Sequence, residues 1–313
     1  MEQSIAIGPA GWSYPDWHGT VYPAGTDSSF DALEYCSRFF DLVEVNSTFY
    51  RIPSRQTCAG WARRVAGNPD FFFTLKAHRS MTHERRPLQG PDISAFASAA
   101  APLLESGRLR FILIQFPWSF KFTGQSRDRI RALTDSLRPF PLALEVRHGS
   151  WDSAAAADFI RGRELTLCGI DQPQIGNSLG PKIYLPGPHG VYFRLHGRNA
   201  REWFNPESNR DLRYNYLYSR DELEPWARKI RMAAEADSKV VVVLNNHFRG
   251  QAAANALELK SMVRGDRVAV PPSLIPSIPR LQAIARAGPR AQHGKKDPVQ
   301  GSLFEDEDGQ EDS

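Results

Sequence analysis

Side chains able to do chemistry recur here in pairs two residues apart, each at the end of an apolar run. Glu44 and Asn46 form one pair, Lys76 and His78 another. Glu145 and Arg147 follow, with His148 next, then Arg194 and His196, then Asn245 and His247. Gln115 and Asp171 end two further runs singly. Alternate residues of an extended chain point to one side, so each pair faces one way. Lys76, Arg147 and Arg194 are suited to holding an anion, and two guanidiniums can clamp a phosphate bidentately. Glu44 and Glu145 are candidate general bases or metal ligands. His196, with His78 and His247, can exchange protons near neutral pH. Asn46, Gln115 and Asn245 are candidate polar contacts to a substrate. No HExxH or similarly tight metal spacing occurs. Ligands gathered from separate segments would leave no such spacing, so a divalent metal stays open. The competing reading of any one pair is an internal salt bridge, such as Glu145 with Arg147.

Such pairs need a scaffold that brings separate segments to one end. Eight apolar runs lie near 5–8, 42–45, 71–75, 110–116, 142–146, 165–170, 191–195 and 240–244. Most are continuous rather than alternating, as strands covered on both faces are. Helical patterns lie between most of them. Phe30, Leu33, Cys36 and Phe40 share a face after Ser28 and Ser29, and Ser54 opens a stretch carrying Trp61 and Val65. A third helix runs from Asp92 to Gly107, a fourth opens at Asp152, and a sixth spans about 251–263. The fifth is marked by Ser219 and Glu222, a capping-box pattern. Residues 172–190 are rich in Pro and Gly and predict an irregular crossover. Strands alternating with helices predict a single, somewhat irregular (β/α)8 TIM barrel, whose sites lie at the C-terminal strand ends. The alternative, a doubly wound open sheet, usually carries a Gly-rich phosphate turn, and none is present.

Aromatic residues crowd the same positions. Trp12, Tyr14 and Trp17 follow the first run, Trp118 follows Gln115, and Trp151 follows His148. Tyr214, Tyr216 and Tyr218 alternate, and would present one stacking face if extended. A lid of aromatics sealing the barrel is the other reading.

The chain is +4 overall, but its last nine residues hold six acids and no Lys or Arg, which leaves the remainder at +10. That balance fits a polyanionic partner such as DNA, or a generally Arg-rich composition. Three scattered cysteines exclude a disulfide scaffold and fit a reducing compartment. No apolar run reaches the roughly 18–20 residues of a membrane span, and the first residues lack a secretion pattern, so a cytoplasmic location is expected. The expected domains are the barrel over 1–284 and a disordered acidic tail over 285–313. Within that tail Gln300-Gly301-Ser302-Leu303-Phe304 fits the Q-x-x-L-F peptide by which bacterial DNA enzymes dock on the sliding clamp. Gln300, Leu303 and Phe304 are the anchors expected to bind that partner.

The chain resembles the YecE-like family, a group of TIM-barrel proteins described as a domain of unknown function. The resemblance covers roughly 5–265. It rests on Gly11-Trp12-Ser13-Tyr14 with Trp17 and Gly19, on Glu44-Val45-Asn46-Ser47-Thr48-Phe49-Tyr50 with Pro53, and on Lys76 with Thr82-His83. It extends to Gln115-Phe116-Pro117, Glu145-Val146-Arg147-His148 with Trp151, Arg194-Leu195-His196-Gly197 and Asn245-Asn246. The resemblance implies a barrel with a polar site at its strand ends and supplies no established reaction. That barrel looks like those of endonuclease IV and xylose isomerase, but the metal ligands of endonuclease IV have no residue-by-residue match here. The functional expectation is a DNA-acting enzyme or binder in DNA repair or replication, recruited by the sliding clamp, with hydrolysis of a phosphodiester or N-glycosidic bond as the expected reaction class. A metabolic hydrolase or isomerase of a phosphorylated sugar or nucleotide, and a non-catalytic binding module, are the alternatives.

Overall fold

The apolar runs become strands because both of their faces are covered. In the computed structural model, residues 5–84, 86–181, 183–203, 210–236 and 239–286 are described. The strands are β1 Ile5–Pro9, β2 Leu42–Val45, β3 Phe72–Lys76, β4 Leu109–Gln115 and β5 Leu142–Glu145. They continue with β6 Thr166–Leu167, β7 Gly169–Asp171, β8 Val191–Leu195 and β9 Val240–Leu244. All pair in parallel, in the orders β2-β3-β4-β5-β6 and β1-β9-β8-β7. The run expected at 165–170 is thus one stave broken at Cys168. The barrel closes between β1 and β2, where Asp41 N donates to Ile7 O at 3.1 Å and Gly11 N to Glu44 O at 2.8 Å. At that seam a Cβ on Gly8 would stand 1.9 Å from Leu42 O, so only glycine fits.

Alternation persists inside the apolar runs. Ala6, Leu42, Phe72, Phe111, Leu113, Ala143, Ile170, Tyr192, Val241 and Val243 pack together inside the barrel. Residues between them, such as Val43, Phe73, Ile112, Leu144, Phe193 and Val242, pack outward under the helices. Four inward columns end in a polar residue: Leu42 leads to Glu44, Leu113 to Gln115, Ala143 to Glu145 and Tyr192 to Arg194.

The helices are α1 Ala32–Ser37, α2 Ser47–Tyr50, α3 Arg55–Arg64, α4 Arg79–Thr82, α5 Gly90–Glu105 and α6 Gly124–Ser136. Then come α7 Ala154–Gly162, α8 Ala200–Trp203, α9 Arg210–Arg213, α10 Arg220–Glu235, α11 Gln251–Arg264 and α12 Leu274–Ser277. Ser54 and the Ser219–Glu222 capping box start α3 and α10 as expected. Three other starts differ. Asp31, not Ser28 or Ser29, caps α1; Ser153, not Asp152, caps α7; and α5 begins before Asp92, which sits in its first turn. No helix joins β7 to β8 among the described residues. That crossover lies along β6 through a Leu167–Leu185 bridge, and Lys229 of α10 donates to Pro181 O at 2.9 Å. After α11, Val268–Ala269 (β10) pairs with Ala285–Arg286 (β11), so ordered pairing continues past the expected boundary at 284. Residues 287–313, with Gln300, Leu303 and Phe304, lie outside the described residues.

Candidate functional site

The polar ends of the inward columns meet. Arg194 on β8 is 1% exposed, and Glu44 on β2 and Glu145 on β5 are 0% exposed. The Arg194 guanidinium lies between the two carboxylates: Nη2 to Glu44 Oε1 is 2.5 Å, Nη1 bonds Glu145 Oε2, and Nη1 also donates to Gln115 Oε1 at 2.9 Å. The second Glu44 oxygen accepts from the Tyr192 hydroxyl at 2.7 Å, and Thr74 Oγ1 lies 2.9 Å from that hydroxyl. Arg147 reaches Glu145 Oε1 through Nε at 3.0 Å and Nη2 at 2.8 Å. Two carboxylates and two guanidiniums therefore balance. Burial favours the uncharged Glu145, but Arg194, His196 and Arg147 hold its carboxyl well below the usual range. Burial would also discharge Arg194, yet Glu145 and Glu44 keep it charged at any ordinary pH.

His196, following β8, is fully buried beside this layer. Its Nε2 stands 3.3 Å from Glu145 Oε1 without forming a hydrogen bond, and Asn245 Nδ2 lies 3.0 Å from its Nδ1. With Asn245 donating, the proton of the neutral ring sits on Nε2. Burial lowers its pKa to about 4 against the pull of Glu145, so the ring is neutral at pH 7.

Above the layer, cations and rings share the mouth. Lys76 Nζ lies 3.8 Å over the Phe49 ring, and His83 meets the same ring edge-on at 4.7 Å. Arg147 stands 5.7 Å from Trp203, which contacts His196 at 6.1 Å and Tyr214 at 6.1 Å. Tyr14 stacks on His247 at 4.6 Å, and Tyr214 flanks that imidazole at 5.2 Å.

The strand-end residues thus divide. Glu44, Gln115, Glu145, Arg147, Arg194, His196 and Asn245 come together, with Lys76 at the mouth. Arg194, expected to grip a ligand, is instead sealed below the surface with both Nη groups committed to protein partners. Glu44, expected as a base, is likewise held by Arg194 and Tyr192. Asn46 sits at the start of α2 with its Oδ1 buried and unpartnered. Three other expectations give way to structural roles. His78 and His148 accept from Ser80 N and Ser150 N as caps of short helical turns. Asp171 binds Arg198 (Nη2 at 2.7 Å) and Trp226 Nε1 at 2.8 Å. The tyrosine face does not form: Tyr218 is buried and accepts from Gly197 N at 2.8 Å, Tyr216 bonds Glu222, and Tyr214 alone joins the mouth aromatics. Trp151, buried, donates to Phe120 O at 2.8 Å.

His83 and Trp203 were invisible to the strand-end rule. His83 ends α4, and Trp203 ends α8 inside the long segment after β8. Among the described residues no three His, Cys, Asp or Glu gather as a metal site, and Arg194 stands between the carboxylates where a divalent cation would need to be. A cavity of about 600 Å³ lined by Asp16, Leu217, Arg249, Gln251 and Ile278 shares no lining residue with this cluster.

A parallel barrel with a charge-balanced polar layer at its strand ends defines the class, a TIM-barrel protein. Over residues 6–281 the sequence matches the family described as "Protein of unknown function DUF72", and the chain belongs to that family. It is 29% identical over 273 residues to UPF0759 protein YunF of Bacillus subtilis (strain 168), covering 83% of this chain and 94% of that protein. The crystal structure of a DUF72 family protein from Thermotoga maritima superposes with a TM-score of 0.72 at 35% identity, covering 83% of this chain and 99% of that one. One from Enterococcus faecalis gives 0.71 at 27% identity, covering 83% and 95%.

Proposed function

We propose that the barrel mouth binds a phosphate-bearing nucleotide unit of DNA and that the protein hydrolyses a phosphodiester or N-glycosidic bond there. The observation that carries this reading is His196 Nε2, a buried group with no hydrogen-bond partner, 3.3 Å from Glu145 Oε1 and directly below the cationic and aromatic mouth. An unsatisfied buried donor costs about 1–3 kcal/mol, a cost that a ligand-bound state removes. Glu145 and His196 are the pair assigned to proton transfer, once a bound ligand turns their 3.3 Å contact into an aligned hydrogen bond. Lys76 and the remaining Nη1 of Arg147 face the phosphate, and Phe49, Trp203 and Tyr214 offer faces to a base or sugar. Arg194 and Glu44 hold Glu145 in place and do not touch substrate.

Half of the strand-end segments support a polyanion. The segments following β2, β4, β7 and β9 (46–54, 116–123, 172–190 and 245–250) contain Arg51, Lys121, Lys182 and Arg249 and no acidic residue. The Gln300-Leu303-Phe304 peptide would bring the barrel to the sliding clamp, where DNA is at hand.

The test is binding of labelled single-stranded, duplex and abasic DNA across a salt series, with products assayed with and without divalent metal. Salt-sensitive binding lost in Lys76→Met, and turnover lost in Glu145→Gln and His196→Asn, are the expected results. Clamp binding should vanish in Leu303→Ala/Phe304→Ala. Affinity for a small phosphorylated sugar or nucleotide with none for DNA would overturn the DNA reading in favour of a metabolic enzyme.

A further inference from the structure

We propose that His83 completes the anion seat begun by Lys76 and Arg147, and that a dianion entering the seat brings a proton onto His83. The inference rests on the anion-binding reading of the mouth and adds a residue and a coupling to it.

The geometry comes first. His83 and Lys76 contact one ring, Phe49, at 4.7 and 3.8 Å, so the imidazole and the ammonium share one aromatic wall of the mouth. Thr82 Oγ1 sits 2.9 Å from His83 Nδ1, so Nε2 is the nitrogen left for a ligand. The side chain is half-buried at the mouth, unlike His196, and is reachable from solvent. Phe49 supplies a rigid wall, and a ring edge beside a cation resting on its face is a favourable arrangement.

The charges around His83 come from several elements. Lys76 belongs to β3, and Arg147 and Glu145 to β5 and its end. On the far side of α4, Arg79 lies 3.8 Å from Glu84, which also pairs with Arg86. Arg129 of α6 donates to the carbonyls of Ser80 and Met81 at 3.0 and 2.9 Å. Burial first, then Lys76 and Arg147, lower the His83 pKa to about 3, and Glu145 opposes them weakly. Without a bound anion the imidazole is therefore neutral, under the field of two cations. A dianion cancels the repulsion from Lys76 and Arg147 and adds its own attraction, and both changes favour the imidazolium. An opposite charge within about 4–6 Å raises a histidine midpoint by roughly 1–3 units. The ligand gains a third cationic contact, and binding strengthens as pH falls.

Sulfate is the discriminating probe, because it stays dianionic across the range and any proton taken up belongs to the protein. Calorimetric titration of the full chain with sulfate near pH 5, in two buffers of different ionisation heat, counts protons. The His83 ring resonance, assigned by its loss in His83→Gln, gives the midpoint directly. Wild type should take up a fraction of a proton, and the His83 midpoint should rise by one to three units on saturation. His83→Gln should bind sulfate several-fold more weakly with that uptake gone. Its thermal unfolding reports whether it has folded, and the wild-type resonance stands independently of the variant. If sulfate binds wild type and His83→Gln alike and the resonance does not move, His83 is no part of the seat, while sensitivity to Lys76→Met would keep the seat itself. If sulfate does not bind, or binds regardless of Lys76→Met, the seat falls and this inference with it.

Discussion

Arg194 is the residue on which the polar layer depends. Its two Nη groups meet two carboxylates that have no access to water, and removing one partner of a buried ionic group costs about 3–5 kcal/mol. Arg194→Met should therefore lower stability by that order, measured by urea unfolding. A loss under about 1 kcal/mol would mean that the carboxylates find other partners. The histidine beside them sets a pH dependence. Folded His196 has its pKa lowered to about 4 from an ordinary 6.5, so the unfolded chain takes up the proton first as pH falls. The stability it contributes is whole above pH 6.5 and is lost on falling toward 4, on the order of 3 kcal/mol. Glu145, held low, carries the loss further into acid. Melting temperature should thus decline between pH 7 and 4, and His196→Gln should flatten that slope; a wild-type curve level across that range would contradict the neutral, buried imidazole. The sequence made these residues visible through their two-residue spacing. It offered the Glu145–Arg147 pair as a competing reading, and that pair forms, but it could not show the pairings that cross the barrel: Arg194 meets Glu44, 150 positions away. Nor could residue type separate His196 from His78 and His148, whose nitrogens cap helical turns.

Strand recognition succeeded for a physical reason. A stave apolar on both faces leaves a run of Val, Leu, Ile and Phe that needs no alternation to be seen, as in Val240–Leu244. What the run hides is the division into inward and outward columns, which needs the barrel itself. Helix recognition was weaker where the apolar stripe is narrow. α6 went unseen because Ile130 and Leu133 are the large apolar side chains it buries, although Thr123 accepting from Ser126 N marks its start. Helix starts shifted where neighbouring polar residues compete, as Ser153 does with Asp152. The closing seam offers an element-level test. A methyl at Gly8 would collide with the β2 backbone at Leu42, and backbone cannot step aside as a side-chain tip can. Gly8→Ala should cost about 3 kcal/mol or more, read from thermal or chemical unfolding. A neutral effect would show that β1 and β2 are less tightly joined than their hydrogen bonds imply.

At the scale of the molecule, the C-terminal end of the barrel strands gathers charge and rings around a polar layer, and the opposite end holds a smaller ionic cluster of Asp41, Lys260 and Arg264. No helix among the described residues is long and apolar enough to cross a membrane. If the mouth holds DNA, each phosphate contact displaces condensed counterions, and log affinity should fall linearly with log salt. Arg51→Ala and Lys121→Ala should each lower that slope by about one, or somewhat less for single strands, without altering preference among sequences. An unchanged slope in both would exclude those loops from the contact. The fold class was legible from alternation alone. The crossover at 172–190 was legible only as an absence of helix. There the barrel wears a loop fastened by scattered bonds in place of a cooperative helical shell. Amides of Leu167 and Leu185, sealed against each other and not under a helix, should exchange with solvent sooner than those of Val242 or Ile112. Breathing of the protein should begin at that flank, next to the break at Cys168, and a protease probing the native state should find its first foothold there.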